Sequence, residues 1–159
     1  MSKCLIRPSN SLPSVAGRRY RSAVYGYVRK QTMSRELARI KKLYQRLLRC
    51  SPEQFPIRGE RLSVTDKHGV YIIYGPRKQV LHIGRTVRGR KGLSQRLKNH
   101  LHGNSSFIVE HLKGDGSKLR GTHSFRFVAI SDARTRALLE AFAVGHLCPK
   151  HLGLGENVS

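Results

Sequence analysis

This sequence predicts an α+β fold: a small antiparallel three-stranded sheet flanked by helices. Three observations carry the prediction. Gly69-Val70-Tyr71-Ile72-Ile73-Tyr74 and Val80-Leu81-His82-Ile83-Gly84 are short β-branched and aromatic runs. The segment between them is short and begins at Gly75-Pro76, so the two runs most simply form a hairpin. Further on, Phe125, Phe127 and Ala129 alternate with Arg126, Val128 and Ile130, the period of a third strand. Apolar residues at helical spacing fill the intervals, giving the order ββα(α)βα and a layer of helices on the sheet.

Taken in order, residues 1–33 form a basic arm. Lys3, Arg7, Arg18, Arg19, Arg21, Arg29 and Lys30 are mixed with Ser, Gly and Pro, and the first acid of the chain is Glu36. Such a stretch fits a segment that orders on nucleic acid, an organelle-targeting peptide, or a plain solvated tail. Residues 34–66 comprise a basic amphipathic helix and a connector. Ser34 is a candidate N-cap, and Leu37, Ile40, Leu43 or Tyr44, Leu47 and Leu48 recur at helical spacing. Ser51-Pro52 stops this helix. Residues 67–159 hold the compact unit. After the hairpin and the Arg85–Lys91 loop, Leu93, Leu97 and Leu101 mark a helix, and residues 105–112 fit a shorter one. The third strand follows, and Ser131 or Asp132 caps a last helix from Ala133 to about Leu147, ended by Pro149.

Charge narrows the function classes. Lys and Arg number 31 against 9 Asp and Glu, a formal net charge of +22 over 159 residues. A chain so basic attracts polyanions, and nucleic acid is the default partner. No apolar run approaches the length of a membrane span, which argues against a membrane partner. Cys4, Cys50 and Cys148 lack the spacing of a zinc site or a disulfide framework. A reducing intracellular compartment, cytoplasm or nucleoid, is the simplest expectation, and organelle import remains compatible with the arm.

Against that background a few residues of the compact unit carry chemistry. Glu140 sits within an apolar helix in a chain poor in acids, and a carboxylate facing phosphate makes sense with a hard divalent cation between them. Read alone, it equally fits a salt bridge to Arg136 one turn earlier. Arg96 and His100, spaced i and i+4, project from one helix face, where Arg suits a phosphate oxygen and His a proton. Tyr71 and His82 lie on neighbouring strands, each a candidate proton acceptor.

Together these elements resemble the GIY-YIG nuclease family. The two name-giving tripeptides are matched by Gly69-Val70-Tyr71 and His82-Ile83-Gly84, the helical Arg and His by Arg96 and His100, the metal-binding Glu by Glu140, and the closing Pro and Asn by Pro149 and Asn157. Residues 1–66 lie outside the resemblance. His82 departs from the family's usual Tyr, although imidazole accepts a proton near neutral pH more readily than phenol does.

The resemblance implies a metal-dependent DNA endonuclease hydrolysing phosphodiester bonds, most similar to the small stand-alone restriction enzymes. A structure-selective or repair nuclease, or an inactive nucleic-acid-binding module, are the alternatives. Glu140 would bind one Mg²⁺, with Mn²⁺ as a substitute. Tyr71 would activate or position the attacking water, with His82 beside it, and Arg96 would neutralise phosphoryl charge. His100 and Asn157 would orient their neighbours. Gly84 would leave the strand end bare for phosphate. Arg85, Arg88, Arg90, Lys91, Arg18, Arg19 and Arg21 would contact double-stranded DNA, and cutting both strands would favour a homodimer.

Overall fold

The computed structural model describes residues 20–87 and 89–152, with side chains from residue 35 onward. The described residues divide into two units, one ending at Leu37 and the other beginning at Ala38. All of the predicted chemistry that lies within the described residues belongs to the second.

The first helix, α1, spans Tyr20–Arg49, so it begins well before the expected Ser34 cap. Its expected end at about residue 50 is correct. No proline interrupts the sequence between Tyr20 and Arg49, and Gly26 alone costs a helix only about 1 kcal/mol. The cap cue at Ser34 is therefore overridden by continuation from upstream. In the second unit Ile40, Tyr44 and Leu47 form the buried stripe of this helix, so Tyr44 rather than Leu43 takes the inward position.

The sheet has four antiparallel strands, one more than expected. The added strand, β1, is Glu53–Gln54, lying in the stretch expected to be only a connector. The hairpin strands are β2, Gly69–Tyr74, and β3, Val80–Arg85. Helix α2 covers Gly92–Leu101 and α3 covers Ser106–Leu112, followed by a 3₁₀ turn at Gly116–Leu119. Then come β4, Ser124–Ala129, and helix α4, Ala133–Leu147. The strand order is β1-β4-β2-β3, which leaves β3 at one edge.

Alternation along β2 sends side chains to two separate cores. Tyr71 and Ile73 pack with Leu93, Leu97, Leu101, Phe107, Ile108 and Phe125 under α2 and α3. Val70 and Ile72 pack with Ile83, Val128, Ile40, Leu47, Leu139 and Ala143 under α1 and α4. With both faces covered, β4 buries residues of both parities, Phe125 and Val128 among them.

Side chains cap the starts of α3 and α4. The Asp132 carboxylate accepts from Thr135 N at 2.7 Å, making it the cap of α4. The Ser105 hydroxyl accepts from Ile108 N at 3.3 Å and caps α3. Gly92, with φ +34°, opens α2 where any Cβ would strike the Lys67 carbonyl at 2.3 Å. Cys148, with φ 43°, closes α4 one residue before Pro149. Among the described residues no helix is long and apolar enough to cross a membrane.

Candidate active site

The register of the hairpin builds the site. Tyr71 on β2 stands opposite Gly84 on edge strand β3, and both face α2. A Cβ on Gly84 would lie 2.5 Å from Tyr71 Oη and 3.0 Å from His82 Nε2. The missing side chain therefore makes room for the tyrosine hydroxyl. The close approach that requires a glycine here is thus an internal one, between the strand and the phenol.

Tyr71 is fully buried, and its hydroxyl is held from α2. Arg96 Nε donates to Tyr71 Oη at 3.1 Å, and a 2.7 Å hydrogen bond joins the same oxygen to His100 Nε2. His100 is anchored in turn by a 2.7 Å bond between its Nδ1 and Ser105 Oγ. The i, i+4 spacing of Arg96 and His100 thus converges on one atom. Burial pushes the Tyr71 phenol up to about 12; the charge and hydrogen bond of Arg96 pull it back, and the Glu140 carboxylate adds to the rise. The resting phenol is neutral. Burial likewise holds His100 well below the ordinary histidine value, aided by the nearby His82, Arg96 and His151.

His82 lies on the same face as Tyr71 and Gly84. Its ring stacks on Phe107 at 5.0 Å and 10°, and its Nδ1 lies 3.1 Å from His151 Nδ1. Burial lowers it to about 3, reinforced by His151 and Arg96, so it is a neutral imidazole near pH 7.

Glu140 reaches the edge of β3 from α4. Its Oε2 accepts from Arg85 Nε at 2.6 Å, with about a third of each side chain exposed. The helical partner considered from sequence, Arg136, is engaged elsewhere. It is buried and donates to the carbonyls of Thr86, Ile130 and Ser131 at 3.0, 3.0 and 2.6 Å. Those bonds pin the first turn of α4 to the ends of β3 and β4, which sets where Glu140 stands one turn later.

A cleft of about 220 Å³ opens beside this cluster, lined by Arg85, Thr86, Val87, Gly92, Gln95, Arg96 and Asn99. Arg90 and Lys91 are exposed in the loop leading to α2. Tyr71, His82, Arg96 and His100 therefore converge, with Arg85 and Glu140 at the adjoining edge. Asn157, Arg88, Arg18 and Arg19 lie outside the described residues, as does the side chain of Arg21. Sequence reasoning missed His151 and Ser105. Ser105 carried a readable signal as the cap before a short apolar helix. His151 carried none, because its pairing with His82 spans 69 positions.

Among the described residues no group of three or more His, Cys, Asp or Glu side chains is arranged to hold a metal ion. The donor set is instead a single partly exposed carboxylate beside an arginine-lined cleft. That fits a Mg²⁺-like ion, which keeps several waters and takes one or two carboxylates plus substrate phosphate.

No family model matches the chain, and no curated protein matches it. Among solved structures it is similar to the GIY-YIG N-terminal endonuclease domain of UvrC from Thermotoga maritima, solved as point mutants bound to its catalytic divalent cation. Two of these are 21% identical, with TM-scores of 0.42 and 0.41, and a third is 20% identical with 0.41. Each alignment covers 56% of this chain and 86% of the other.

Proposed function

We propose that this chain is a divalent-metal-dependent endonuclease of GIY-YIG type that hydrolyses phosphodiester bonds in double-stranded DNA. One observation carries the reading: a buried tyrosine hydroxyl gripped by Arg96 and His100 lies beside an Arg85–Glu140 pair at a cationic cleft. A purely structural tyrosine needs one hydrogen-bond partner; this one has two, and both bear on phosphate or proton chemistry.

Glu140 is the residue that would hold the cation, in exchange for its bond to Arg85. A divalent cation there supplies charge stabilisation for the scissile phosphate and its leaving oxygen. Arg85, once released, and Arg96, which lines the cleft, neutralise non-bridging phosphate oxygens. The neutral Tyr71 hydroxyl orients the attacking water, and its acceptance of that proton requires a destination for its own. His100, locked between Tyr71 and Ser105, keeps the phenol in place.

DNA outside the cleft meets the exposed Arg90 and Lys91, and the basic residues 1–33 extend the contact. Within the class we favour a stand-alone restriction-type enzyme, because the exposed Arg90 and Lys91 of the loop beside the cleft offer a recognition surface, and the composition of residues 1–33 suits further phosphate contacts. One active site cuts one strand at a time, so a double-strand cut calls for a two-fold homodimer on DNA. The deciding experiment is cleavage of supercoiled plasmid in Mg²⁺ by the intact protein and by Glu140→Ala. Nicking or linearisation by the former alone supports the reading; equal behaviour of the two overturns it.

A further inference from the structure

Two groups linked to His82 have no part in binding phosphate: His151, which faces the His82 ring, and Glu110 behind it. His151 follows α4 and is fixed by backbone, its N–H donating to Leu81 O at 2.9 Å while Lys150 N–H donates to Val80 O at 3.2 Å. This parallel bridge sets it against His82. Both rings are 6% exposed, and their Nδ1 atoms face each other at 3.1 Å. One of the two nitrogens must carry hydrogen and the other a lone pair.

The far end decides which. His151 Nε2 lies 2.9 Å from Glu110 Oε2, off the line of a hydrogen bond but close enough for the carboxylate to draw the ring proton to that nitrogen. A neutral His151 with its proton on Nε2 offers Nδ1 as acceptor. His82 must then donate through Nδ1, which leaves its lone pair on Nε2. That Nε2 is buried and has no hydrogen-bond partner among the described residues. It presses on Gly84 from one side while Tyr71 Oη presses from another, 3.0 and 2.5 Å from the position a Cβ would take. The stacked Phe107 ring resists a flip that would exchange the two nitrogens.

We propose that His151 and Glu110 are positioning residues of this site: they hold the His82 lone pair toward Tyr71 and store the phenol proton while water attacks. The proposal rests on the phosphodiesterase reading above. With Arg96 Nε–H and His100 Nε2–H both donating to the Tyr71 oxygen, and Ser105 O–H donating to His100 Nδ1, the Tyr71 O–H gives its proton to His82 Nε2, and the Nδ1 proton of His82 moves to His151 Nδ1. The products are a tyrosinate beside Arg96 and an imidazolium on His151 beside the Glu110 carboxylate. The tyrosinate takes one proton from water as the new P–O bond forms and the bond to the leaving oxygen breaks. The stored proton then returns through His82 Nε2 to the leaving oxygen, directly or by way of bulk water, which restores both tautomers. His82 never keeps the charge, in line with its depression to about 3 by burial and by neighbouring His151 and Arg96. Tyr71, His100, His151 and Phe107 surround His82, while Glu110, His82 and Phe107 contact His151, with His111 in its field. The resting contact between Tyr71 and His82 is longer than a hydrogen bond, as catalytic contacts often are before substrate binds.

Glu110 is half exposed, so Glu110→Gln leaves the fold intact. The test reads imidazole tautomers by long-range ¹H–¹⁵N correlation at pH 7, and plasmid cleavage in Mg²⁺. The native protein should show His82 protonated at Nδ1 and bare at Nε2. Glu110→Gln should mix the tautomers and lower kcat by about tenfold or more with KM little changed, and Glu110→Asp should restore much of the rate. A native His82 protonated at Nε2, or native kcat in Glu110→Gln, overturns the proposal. A native protein that cuts no DNA removes the nuclease reading and the catalytic half of this one, while the spectra still decide the tautomer.

Discussion

Replacing Gly84 by alanine tests the internal geometry of the site with a single methyl group. The new Cβ would lie 2.5 Å from Tyr71 Oη and 2.7 Å from its Cζ. Ordinary van der Waals contact begins near 3.4 Å, so the ring must retreat by about 0.9 Å, a distance comparable with the displacement that can cost a reaction 10²-fold. The tyrosine has nowhere easy to go. It is fully buried, and its hydroxyl is held at 2.7 Å by His100 and 3.1 Å by Arg96. Overpacking of this kind costs about 1–3 kcal/mol, which for a unit of this size is a fall in Tm of roughly 3–10 °C. Thermal melts by circular dichroism measure the first effect and plasmid cleavage the second, expected to drop about 10²-fold. Tyr71→Phe in the same chain removes the nearest clashing atom. The double variant should therefore be more stable than the sum of the two single changes predicts, by about 1 kcal/mol. Full additivity, or a Gly84→Ala protein that melts and cuts like the native one, would refute the argument that Gly84 exists to seat the phenol.

What could be read from sequence follows from the range of the forces involved. The hairpin was legible because β-branched residues around a tight turn specify it locally, and the two ends of α4 were legible because Asp132 and Pro149 act within a few residues. The convergence of Arg96 and His100 followed from helical spacing alone. Strand β1 was not legible: two exposed residues, Glu53 and Gln54, carry no pattern, and only their pairing with Phe125 and Ser124 makes them a strand. The partner of Glu140 was also hidden. An i−4 arginine is the natural reading on an isolated helix, but three carbonyls at the strand ends compete for Arg136 and win. Arg85 then takes the carboxylate from 55 positions away. His151 is the same kind of case, invisible until the chain after α4 folds back along β3.

Glu140→Ala should abolish cleavage while DNA affinity, followed by fluorescence anisotropy, stays within about threefold, since phosphate contacts remain; retained cutting in Mg²⁺ excludes Glu140 as the metal ligand. His82→Ala should slow cleavage by roughly 10²–10⁴, and His82→Tyr should keep much more of the rate; equality of His82→Ala with the native enzyme would reduce His82 to packing. Deleting residues 1–33 should flatten the slope of log K against log salt by about 0.9 for each lost phosphate contact, and an unchanged slope would exclude a DNA-binding arm. Stability should fall in acid for a stated reason. His82 titrates at about 3 in the folded chain because burial disfavours its cation, and His100 is shifted the same way; both return to near 6.5 on unfolding. The unfolded state therefore binds more protons below about pH 6.5, so the stabilisation is complete above that pH and is lost progressively toward pH 3. His82 alone contributes a slope of about 1.4 kcal/mol per pH unit in that window. Urea midpoints at pH 7.5, 6.0 and 5.0 should fall in that order, and His82→Phe should reduce the slope. A midpoint that stays level from pH 7.5 to 5.0 would mean the imidazoles are not held neutral by burial, and the tautomer argument for the site would go with them.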